Sequence, residues 1–445
     1  AAGADATFDS GTTTISSGTS FGTNLYVGSS GTATMEVIPG GSAADAYGYL
    51  GYKAGSLGVA RVLGGAWNNG TSLYVGYGGA GSLEMGGGSI ADENAFFGVT
   101  AGGSGAAVVS GGTWSSGNTT FIGYGGKGVL NVSGGSIADR YSYLGFSAGS
   151  SGTATVSGGT WASGSSRYVG FSGTGRMTVS GGAVTDQSVA IGFNVAGVGM
   201  ATVSSGTWRS DSDFTVGFWG SGTLGLSGGR ISGATASLGY LPGSVGTATV
   251  TGGTWAIAGD LSVGDSGTGM LNVSGSGVVS AGGTLSEGAL GTIAMGSGGR
   301  LSAAEVILSN TTSFMGDPLG TGFGTITATS GLAYGGVLGL HFGRLYDEGS
   351  YGLVSFGTIA PTGGFAALAS TGTGAGGVYA GLLFANDGLG RWSALAANGQ
   401  LVSFDQRSGV LAFSAVPEPS AIMLGGLGAA GAWLALRRRR GVGQL

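Results

Sequence analysis

The chain has 445 residues, of which 104 are glycine and 8% are charged, and it contains no cysteine. The absence of cysteine excludes disulfides and thiolate metal sites, while a net charge of −5 with only 16 Lys and Arg residues argues against a nucleic-acid partner. Unpatterned glycine-rich chains are typically disordered, but here hydrophobic residues, 42% of the total, recur at fixed spacing. The sequence therefore predicts an ordered repeat protein.

The repeat is marked by tryptophan. Five tryptophans recur every 47 residues, each after a Gly-Gly-Thr-like turn, at Trp67, Trp114, Trp161, Trp208 and Trp255. A second set of anchors lies midway between them, at Ile90, Ile137, Val184, Ile231 and Val278. The repeat therefore consists of two similar half-units of 23 and 24 residues.

Apolar residues alternate with polar ones before each anchor, which is the pattern of a β-strand with one buried face. Five residues before successive anchors the chain carries Val62, Met85, Val109, Val132, Val156, Val179, Val203, Leu226, Val250 and Val273. Half-units of this length with Gly-rich corners predict an all-β fold, a parallel β-helix in which each coil stacks on the next. We expect Val109, Val132, Val156 and Val179 to form one inward column.

A second strand in each half-unit ends in a glycine followed by an aromatic residue, as in Leu73-Tyr-Val-Gly-Tyr77 and Tyr143-Leu-Gly-Phe146. If the residue before the glycine points inward, strand alternation places the aromatic residue after it inward as well. These rings are therefore expected to form a column inside the coils.

The chain divides into three segments that differ in repeat content and composition. Residues 1–310 carry the repeats and predict the β-helix, and residues 311–415 contain short apolar runs that predict a small β-sandwich-like domain capping its end. Residues 416–445 are a separate tail. The first residues, Ala1 to Asp5, resemble the end left by signal-peptide cleavage, so export is expected.

The tail begins with Pro417, Glu418 and Pro419, continues through the apolar run 421–436, and ends in Arg437, Arg438, Arg439 and Arg440. The apolar run predicts a short transmembrane helix with the arginines on the cytoplasmic side. This order resembles a PEP-CTERM sorting signal. The resemblance implies export, transient anchoring in the inner membrane, and processing by an exosortase-type enzyme. The 47-residue repeat is similar to repeats of PEP-CTERM proteins and autotransporter passenger domains, and it implies no biochemical activity.

Four aspartates also recur every 47 residues, at Asp45, Asp92, Asp139 and Asp186. One interpretation is a calcium- or saccharide-binding ladder on the surface, but acids two coils apart, roughly 9.6 Å, are too distant to share one ion whose ligands lie at about 2.5 Å. The favoured interpretation is turn capping by hydrogen bonds to the backbone. The tryptophans are predicted to lie in the core. Tyr74, Phe121 and Tyr168 are candidates for an exposed aromatic stripe.

The acids are few, and the close pairs, Asp211 with Asp213 and Asp347 with Glu348, fall in predicted loops. The sequence therefore favours a non-enzymatic protein without a cofactor or metal. Two functions remain open: a structural or adhesive rod at the cell surface or in the extracellular matrix, or a β-helix that binds or cleaves exopolysaccharide. The expected partners are the sorting enzyme and either exopolysaccharide or further copies of the chain, and nucleic acid is not expected.

Overall fold

The computed structural model describes residues 5–316 and 322–416. Strands make up 66% of the structure and helix 1%, and the strands wind into a parallel β-solenoid of about 14 turns. The predicted fold class is therefore confirmed. The predicted hydrophobic helix of the tail lies outside the described residues.

The strands of the first half of the described chain are β1 Ala6–Ile15, β2 Gly18–Ser20, β3 Asn24–Val37, β4 Ser42–Leu50, β5 Leu57–Val75, β6 Ala80–Phe97, β7 Ser104–Val109, β8 Thr113–Ile122, β9 Lys127–Val132, β10 Ser136–Asp139, β11 Tyr141–Leu144, β12 Ser151–Val156, β13 Thr160–Val169, β14 Thr174–Ile191, β15 Val198–Ser210, β16 Asp213–Val216, β17 Ser221–Gly233 and β18 Thr235–Leu238.

The later strands are β19 Val245–Ile257, β20 Leu261–Val263, β21 Thr268–Val273, β22 Val278–Ala281, β23 Thr284–Glu287, β24 Gly291–Gly296, β25 Arg300–Ile307, β26 Thr311–Met315, β27 Thr325–Tyr334, β28 Val337–Phe342, β29 Gly349–Gly352, β30 Val354–Phe356, β31 Thr362–Gly363, β32 Ala367–Gly372, β33 Ala385–Asn386, β34 Arg391–Leu395, β35 Gln400–Asp405 and β36 Val410–Ala415. A single 3-10 helix is described, at Gly374–Tyr379.

Each coil has three sides, which β9, β10 and β11 show most clearly because they are separate strands. Each side pairs in parallel with the same side of the coils before and after it. On the first side, Val132 of β9 pairs with Val109 on one side and with Val156 on the other. Like residues therefore stack on like along the solenoid, as the repeat predicts.

The core lies between the three sides. Val109, Val132, Val156 and Val179 are all at most 1% exposed, so the expected inward column is confirmed. One anchor is displaced: Val279, not Val278, is buried and pairs with Trp255. The turn that precedes it is one residue longer than in the coils from β5 to β19, so the register shifts by one position and the neighbouring residue points inward.

In most coils, glycines form two of the three corners. Gly135 (φ 71°) separates the first side from the second, and Gly145 (φ 66°) ends the third. Among the described residues only glycines adopt positive φ, because a Cβ is strained in that region. A Cβ at Gly145 would also collide with the backbone of Thr174 in the next coil. Both the conformation and the stacking therefore require glycine at this corner.

The solenoid extends further than the sequence suggests. Parallel pairing continues beyond residue 310 through β26, β27 and β28 to β32, which ends at Gly372. The expected boundary at residue 310 and the β-sandwich-like unit from 311 are corrected accordingly. The last coils have lost the Gly-Gly-Thr-Trp turn while keeping strand alternation, so their membership in the solenoid is not visible as a repeat.

The remaining C-terminal unit is one antiparallel sheet with the order β29-β36-β35-β34-β33. It packs on the last coils through aromatic side chains: Phe413 contacts Tyr346 and Phe342 at ring-centroid distances of 5.0 and 5.8 Å. These contacts cover that end of the solenoid, where a strand edge would otherwise lack a partner.

Candidate functional site

The four repeated aspartates lie inside the coils, so their expected position on the surface is wrong. Asp45, Asp92, Asp139 and Asp186 are 8%, 7%, 7% and 3% exposed. Each stands two residues after a buried residue on the second side of its coil, as Asp139 follows Ile137. Strand alternation therefore turns the carboxyl group inward, toward the core.

Each of these carboxylates accepts a hydrogen bond from the indole of the tryptophan one coil further along. The Nε1 atoms of Trp67 and Trp114 donate to Asp45 and Asp92 at 2.8 Å. Trp161 donates to Asp139 at 2.9 Å, and Trp208 donates to Asp186 at 2.7 Å. The turn-capping interpretation is therefore replaced by a contact between side chains of neighbouring coils. The predicted core position of the tryptophans is confirmed, since all five are at most 2% exposed.

The aspartates belong to a continuous buried column of polar residues, which we call the polar column. Its members alternate between Asp and a small polar residue and occupy one register position in successive coils: Asp45, Asn69, Asp92, Ser116, Asp139, Ser163, Asp186 and Ser210. All eight residues are buried. The polar column is therefore a feature of the core and offers no ligand site to solvent.

Burial governs the charge state of the column. It raises the pKa of Asp45 to about 7, against the opposing effect of the Trp67 hydrogen bond. It likewise raises the pKa of Asp92 to about 6. Neither acid forms a salt bridge with any residue that the structure describes, and a neutral carboxyl group costs less to bury than an ionised one. The upper end of the column is therefore protonated over much of the acidic range.

The lower end of the column contains a buried cation, Arg167, which the sequence analysis missed. Its Nε atom donates to Asp186 at 2.9 Å and its Nη2 atom to Ser163 at 2.9 Å. Its guanidinium lies 3.9 Å from the centroid of the Trp161 ring. Strand alternation is the signal that indicates it, because Val169 is buried and Arg167 stands two residues before it on the same strand.

Two acids share this arginine. Burial raises the pKa of Asp186 to about 6, although Arg167 opposes that shift. The pKa of Asp139 is raised by burial too, and again Arg167 opposes it. Ser142 donates to both oxygens of Asp139, at 2.9 and 2.8 Å. These contacts form a network of charged and polar groups inside the solenoid.

The fifth tryptophan lacks this arrangement. The position that would carry its aspartate is Gly233, and among the described residues no hydrogen-bond acceptor reaches Trp255 Nε1, although the indole is fully buried. Gly233 instead pairs with Ile257, and Ile257 with Ala281, so the column becomes apolar.

Tyr74, Phe121 and Tyr168 are half-buried on the outer face of the third side. They are members of a row with one ring in every coil, rather than three separate rings 47 residues apart. This outer stripe consists of Tyr26, Tyr49, Tyr74, Phe96, Phe121, Tyr143 and Tyr168. Neighbouring rings stack with centroids 4.8 to 5.1 Å apart and interplanar angles of 11° to 17°.

The aromatic residues that follow the corner glycines also lie outside, so the expected inner column of rings is wrong. Tyr77 and Phe146 are half-buried beside the outer stripe, and Phe146 stacks on Phe171 at 5.1 Å. The cause is the positive φ of Gly76 and Gly145. A residue in that conformation ends the strand, so the alternation that holds before it does not continue across it.

Stacking determines what the outer stripe can bind. Most ring faces along the stripe are in contact with the rings of neighbouring coils, so mainly ring edges and tyrosine hydroxyls face solvent. After Tyr168 the stripe stops, because Ala190 and then Thr215 occupy its register position. A cavity of about 240 Å³ lies at this interruption and is lined by Tyr168, Ala190, Thr215, Phe193 and Phe218 among others.

A larger cavity of about 630 Å³ lies between the last coils and the C-terminal sheet. Its lining includes Tyr334, Phe356, Leu389 and one charged residue, Arg407. The sequence analysis did not single out any of these residues, since they lie outside the recognisable repeat.

The two acids of the first pair considered for catalysis, Asp211 and Asp213, contact different partners. Asp211 pairs with Arg209 at 2.6 Å on the exposed surface, and Asp213 accepts a hydrogen bond from Thr235 at 2.7 Å. Across residues 5–316 and 322–416, no group of three or more His, Cys, Asp or Glu side chains is placed to hold a metal ion.

In the comparison with known families, residues 415–440 match the PEP-CTERM protein-sorting motif. The matched stretch contains Pro417, Glu418, Pro419 and Arg437 to Arg440, all outside the described residues. The match indicates an exported protein with a membrane-associated C-terminal tail. Comparisons with curated proteins and with solved structures gave no match. Within the part of the chain that the structure describes, no helix is long and apolar enough to span a membrane.

Proposed function

We propose that this protein is an exported, non-catalytic rod that acts outside the cell as a rigid spacer or matrix element. The observation that carries this proposal is the parallel pairing that joins all strands from β1 to β32 except β29 into one sheet, together with a sorting motif at residues 415–440. About 14 turns at roughly 4.8 Å each give a rod on the order of 65 Å long.

The side chains inside the solenoid support a protein that acts as a rigid rod and not as an enzyme. The repeated acids, which would be the natural candidates for catalysis on a polymer, are buried and bonded to tryptophans. The coils between residues 60 and 280 carry no long inserted loop, whereas an enzyme on a solenoid needs a unique site that interrupts the repeat. The surface is instead a series of similar shallow faces.

The rod proposal is tested by shortening the repeat. Deleting residues 204–250 removes one 47-residue unit and joins Val203 to Thr251, which keeps the strand register. We expect a folded protein that is shorter by about two coils, roughly 10 Å, and a corresponding reduction in the spacing it maintains at the cell surface. If the shortened protein maintains the same spacing at the surface of the producing cell as the full-length protein does, the spacer role is contradicted.

The non-catalytic part of the proposal has a separate test. The exported protein is incubated with exopolysaccharide from the producing bacterium, and new reducing or unsaturated ends are measured. We expect none. Product that disappears when Asp211 and Asp213 are both changed to Asn would identify an enzyme and overturn the proposal.

The C-terminal tail is proposed to be the substrate of an exosortase-type enzyme at the inner membrane. Changing Pro417, Glu418 and Pro419 together to alanine is expected to leave an unprocessed chain in the membrane fraction, while the neighbouring change Ser420→Ala serves as the control. Normal processing of the triple variant would exclude this motif as the recognition signal.

A second candidate function, binding of polysaccharide, is favoured by one observation. The outer aromatic stripe is interrupted beside Tyr168, and the interruption forms a cavity with both aromatic and hydroxyl-bearing walls.

A further inference from the structure

The third side of the solenoid changes character at one point. From β3 to β13 its outward register position carries an aromatic ring in each coil, ending at Tyr168. The next coils carry Ala190, Thr215 and Ser237 at the same position. The small side chains leave a notch of about 240 Å³ where the next ring would lie.

The notch has aromatic walls. Tyr168 stacks on Tyr143 at 4.8 Å on one side and meets the edge of Phe193 at 4.7 Å on the other. Phe193 stacks in turn on Phe218 at 4.9 Å. Ala190 and Thr215 are buried and form the floor. The side chains that define the notch are therefore held in place by neighbouring coils before any ligand arrives.

The notch also contains polar groups that are free to bind. Within the described part of the chain, the hydroxyls of Tyr168, Ser166, Ser188 and Thr215 form no side-chain hydrogen bond. Asp213 lines the same notch, and its Oδ1 atom accepts from Thr235 while Oδ2 has no partner among the described residues. The site therefore offers donors, acceptors and apolar ring surface together.

The geometry points to a subsite for one neutral sugar ring of a polysaccharide chain, held in the notch between Tyr168 and Phe218. A pyranose presents apolar C–H groups that pack on aromatic rings and hydroxyls that pair with Ser, Thr, Tyr and Asp side chains. The volume is below the roughly 300–1,000 Å³ of pockets for drug-sized ligands, so it suits a single ring. This inference rests on the second candidate function and is independent of the rod proposal.

The lining excludes other ligands on chemical grounds. An aromatic side chain from a protein partner would cover the free hydroxyls and the Asp213 carboxylate without giving them hydrogen-bond partners, which is unfavourable. Acidic sugars and phosphates would be repelled by Asp213, and the described residues that line the notch include no Lys or Arg. A neutral, polyhydroxylated ring satisfies both parts of the site.

The test uses the full chain and two neutral probes, cellohexaose and maltohexaose, with an acidic oligogalacturonate as comparison. Binding is measured by saturation-transfer NMR and by titration. We expect weak binding of at least one neutral probe, with Kd on the order of 1 mM, and binding of the acidic probe at least about tenfold weaker.

Two substitutions locate the binding. Ala190→Tyr places a ring where every preceding coil of the stripe has one, so it fills the notch and is expected to abolish binding. Ser262→Tyr adds a ring at the same register position outside the notch and is expected to leave the affinity unchanged. Circular dichroism shows whether each variant keeps its β content, and Thr215→Phe provides a second way to fill the notch.

Loss of binding in Ala190→Tyr or Thr215→Phe, with binding retained in Ser262→Tyr, supports the site. No binding of either neutral probe to the unchanged protein at about 10 mM overturns it, as does undiminished binding when the notch is filled. Equal binding of oligogalacturonate would overturn the assignment to a neutral sugar. None of these outcomes changes the expected result of the repeat deletion, so the rod proposal is tested separately.

Discussion

Two stretches of one solenoid differ in what their coils carry inside and outside. Between residues 24 and 210 the core contains the polar column, and the third side carries the outer stripe. In the following coils the same inner position holds Gly233, Ile257 and Ala281, and the outer position holds small side chains such as Ser237 and Ser262. Both features end within a few coils of each other.

The two stretches nevertheless share their backbone and their apolar core. Val156 and Val250 occupy equivalent positions and are both fully buried, and corner glycines with positive φ recur in both stretches. The common features are therefore sufficient for the fold. Because each member of the polar column and of the outer stripe contacts its counterparts one coil away, these features favour one alignment of successive coils over others.

The largest loss of stability is expected from substitutions in the apolar core, which the two stretches share. Val156→Asp and Val250→Asp each place a carboxyl group without a partner in the core, which costs about 4 kcal/mol or more. Both changes are expected to reduce stability strongly and to a similar extent, as measured by urea unfolding. Thr155→Asp, one residue away on the outer face, is the control and is expected to have little effect. A large difference between the two valine variants would show that the stretches differ in the core itself.

The second largest loss of stability is expected from a substitution in the first stretch alone. Arg167→Met removes the cation from a fully buried ion pair and leaves Asp186 without a counter-charge, which is expected to cost about 3–5 kcal/mol. Adding Asp186→Asn to this variant removes the isolated charge and is expected to restore most of the stability. Arg209→Met breaks an exposed pair with Asp211 and is expected to cost less than about 1 kcal/mol. Equal losses for the two arginine variants would contradict the role assigned to burial.

The polar column also predicts a dependence of stability on pH. Burial raises the pKa of Asp45 to about 7 and that of Asp92 to about 6, above the ordinary value of 3.8. The folded state therefore holds these protons more tightly than the unfolded state. Their contribution to stability is fully present below about pH 4 and is lost progressively as the pH rises to about 7.

This dependence is measured as the thermal midpoint between pH 4 and pH 8. The double variant Asp45→Asn and Asp92→Asn retains a side-chain oxygen that can accept from the indole, and it is expected to lose this part of the pH dependence. Asp5→Asn is the control, because that carboxyl is exposed and hydrogen bonding to Asn24 lowers its pKa. An unchanged pH profile in the double variant would mean that other groups control it.

These regions also show what the sequence can predict. The inward valines follow from alternation of period two, and the corner glycines from the conformation that a repeated turn requires. The same alternation places Asp139 inward, since it stands two residues after Ile137. Carboxylates usually lie at surfaces, so residue type alone favours the wrong face for these acids. The rings after Gly76 and Gly145 lie outside the coils, against simple alternation, because alternation does not continue across a residue with positive φ. The indole partners of the acids depend on the stacking of coils and have no local signal.

The smallest effect is expected from a substitution that introduces a feature of the first stretch, the acceptor for a buried indole, into the second stretch. Gly233 stands where four other coils carry the aspartate that accepts from tryptophan, and Trp255 Nε1 is buried without an acceptor among the described residues. A Cβ at Gly233 would meet its nearest neighbours, Thr235 O and Phe214 Cβ, at 3.4 and 3.6 Å, which is ordinary contact. Gly233→Asn introduces a neutral acceptor and avoids the cost of burying a charge.

We expect Gly233→Asn to gain about 1 kcal/mol over Gly233→Ala in urea unfolding. The alanine variant is the matched control. Any residue that replaces glycine has less backbone freedom in the unfolded chain, which in a strand stabilises the folded state by roughly 0.5–1 kcal/mol, and both variants share this effect. The difference between the two variants therefore isolates the hydrogen bond to Trp255. If the asparagine variant is no more stable than the alanine variant, the contact between acceptor and indole contributes little here, and its recurrence in the first stretch would reflect the alignment of coils rather than their stability.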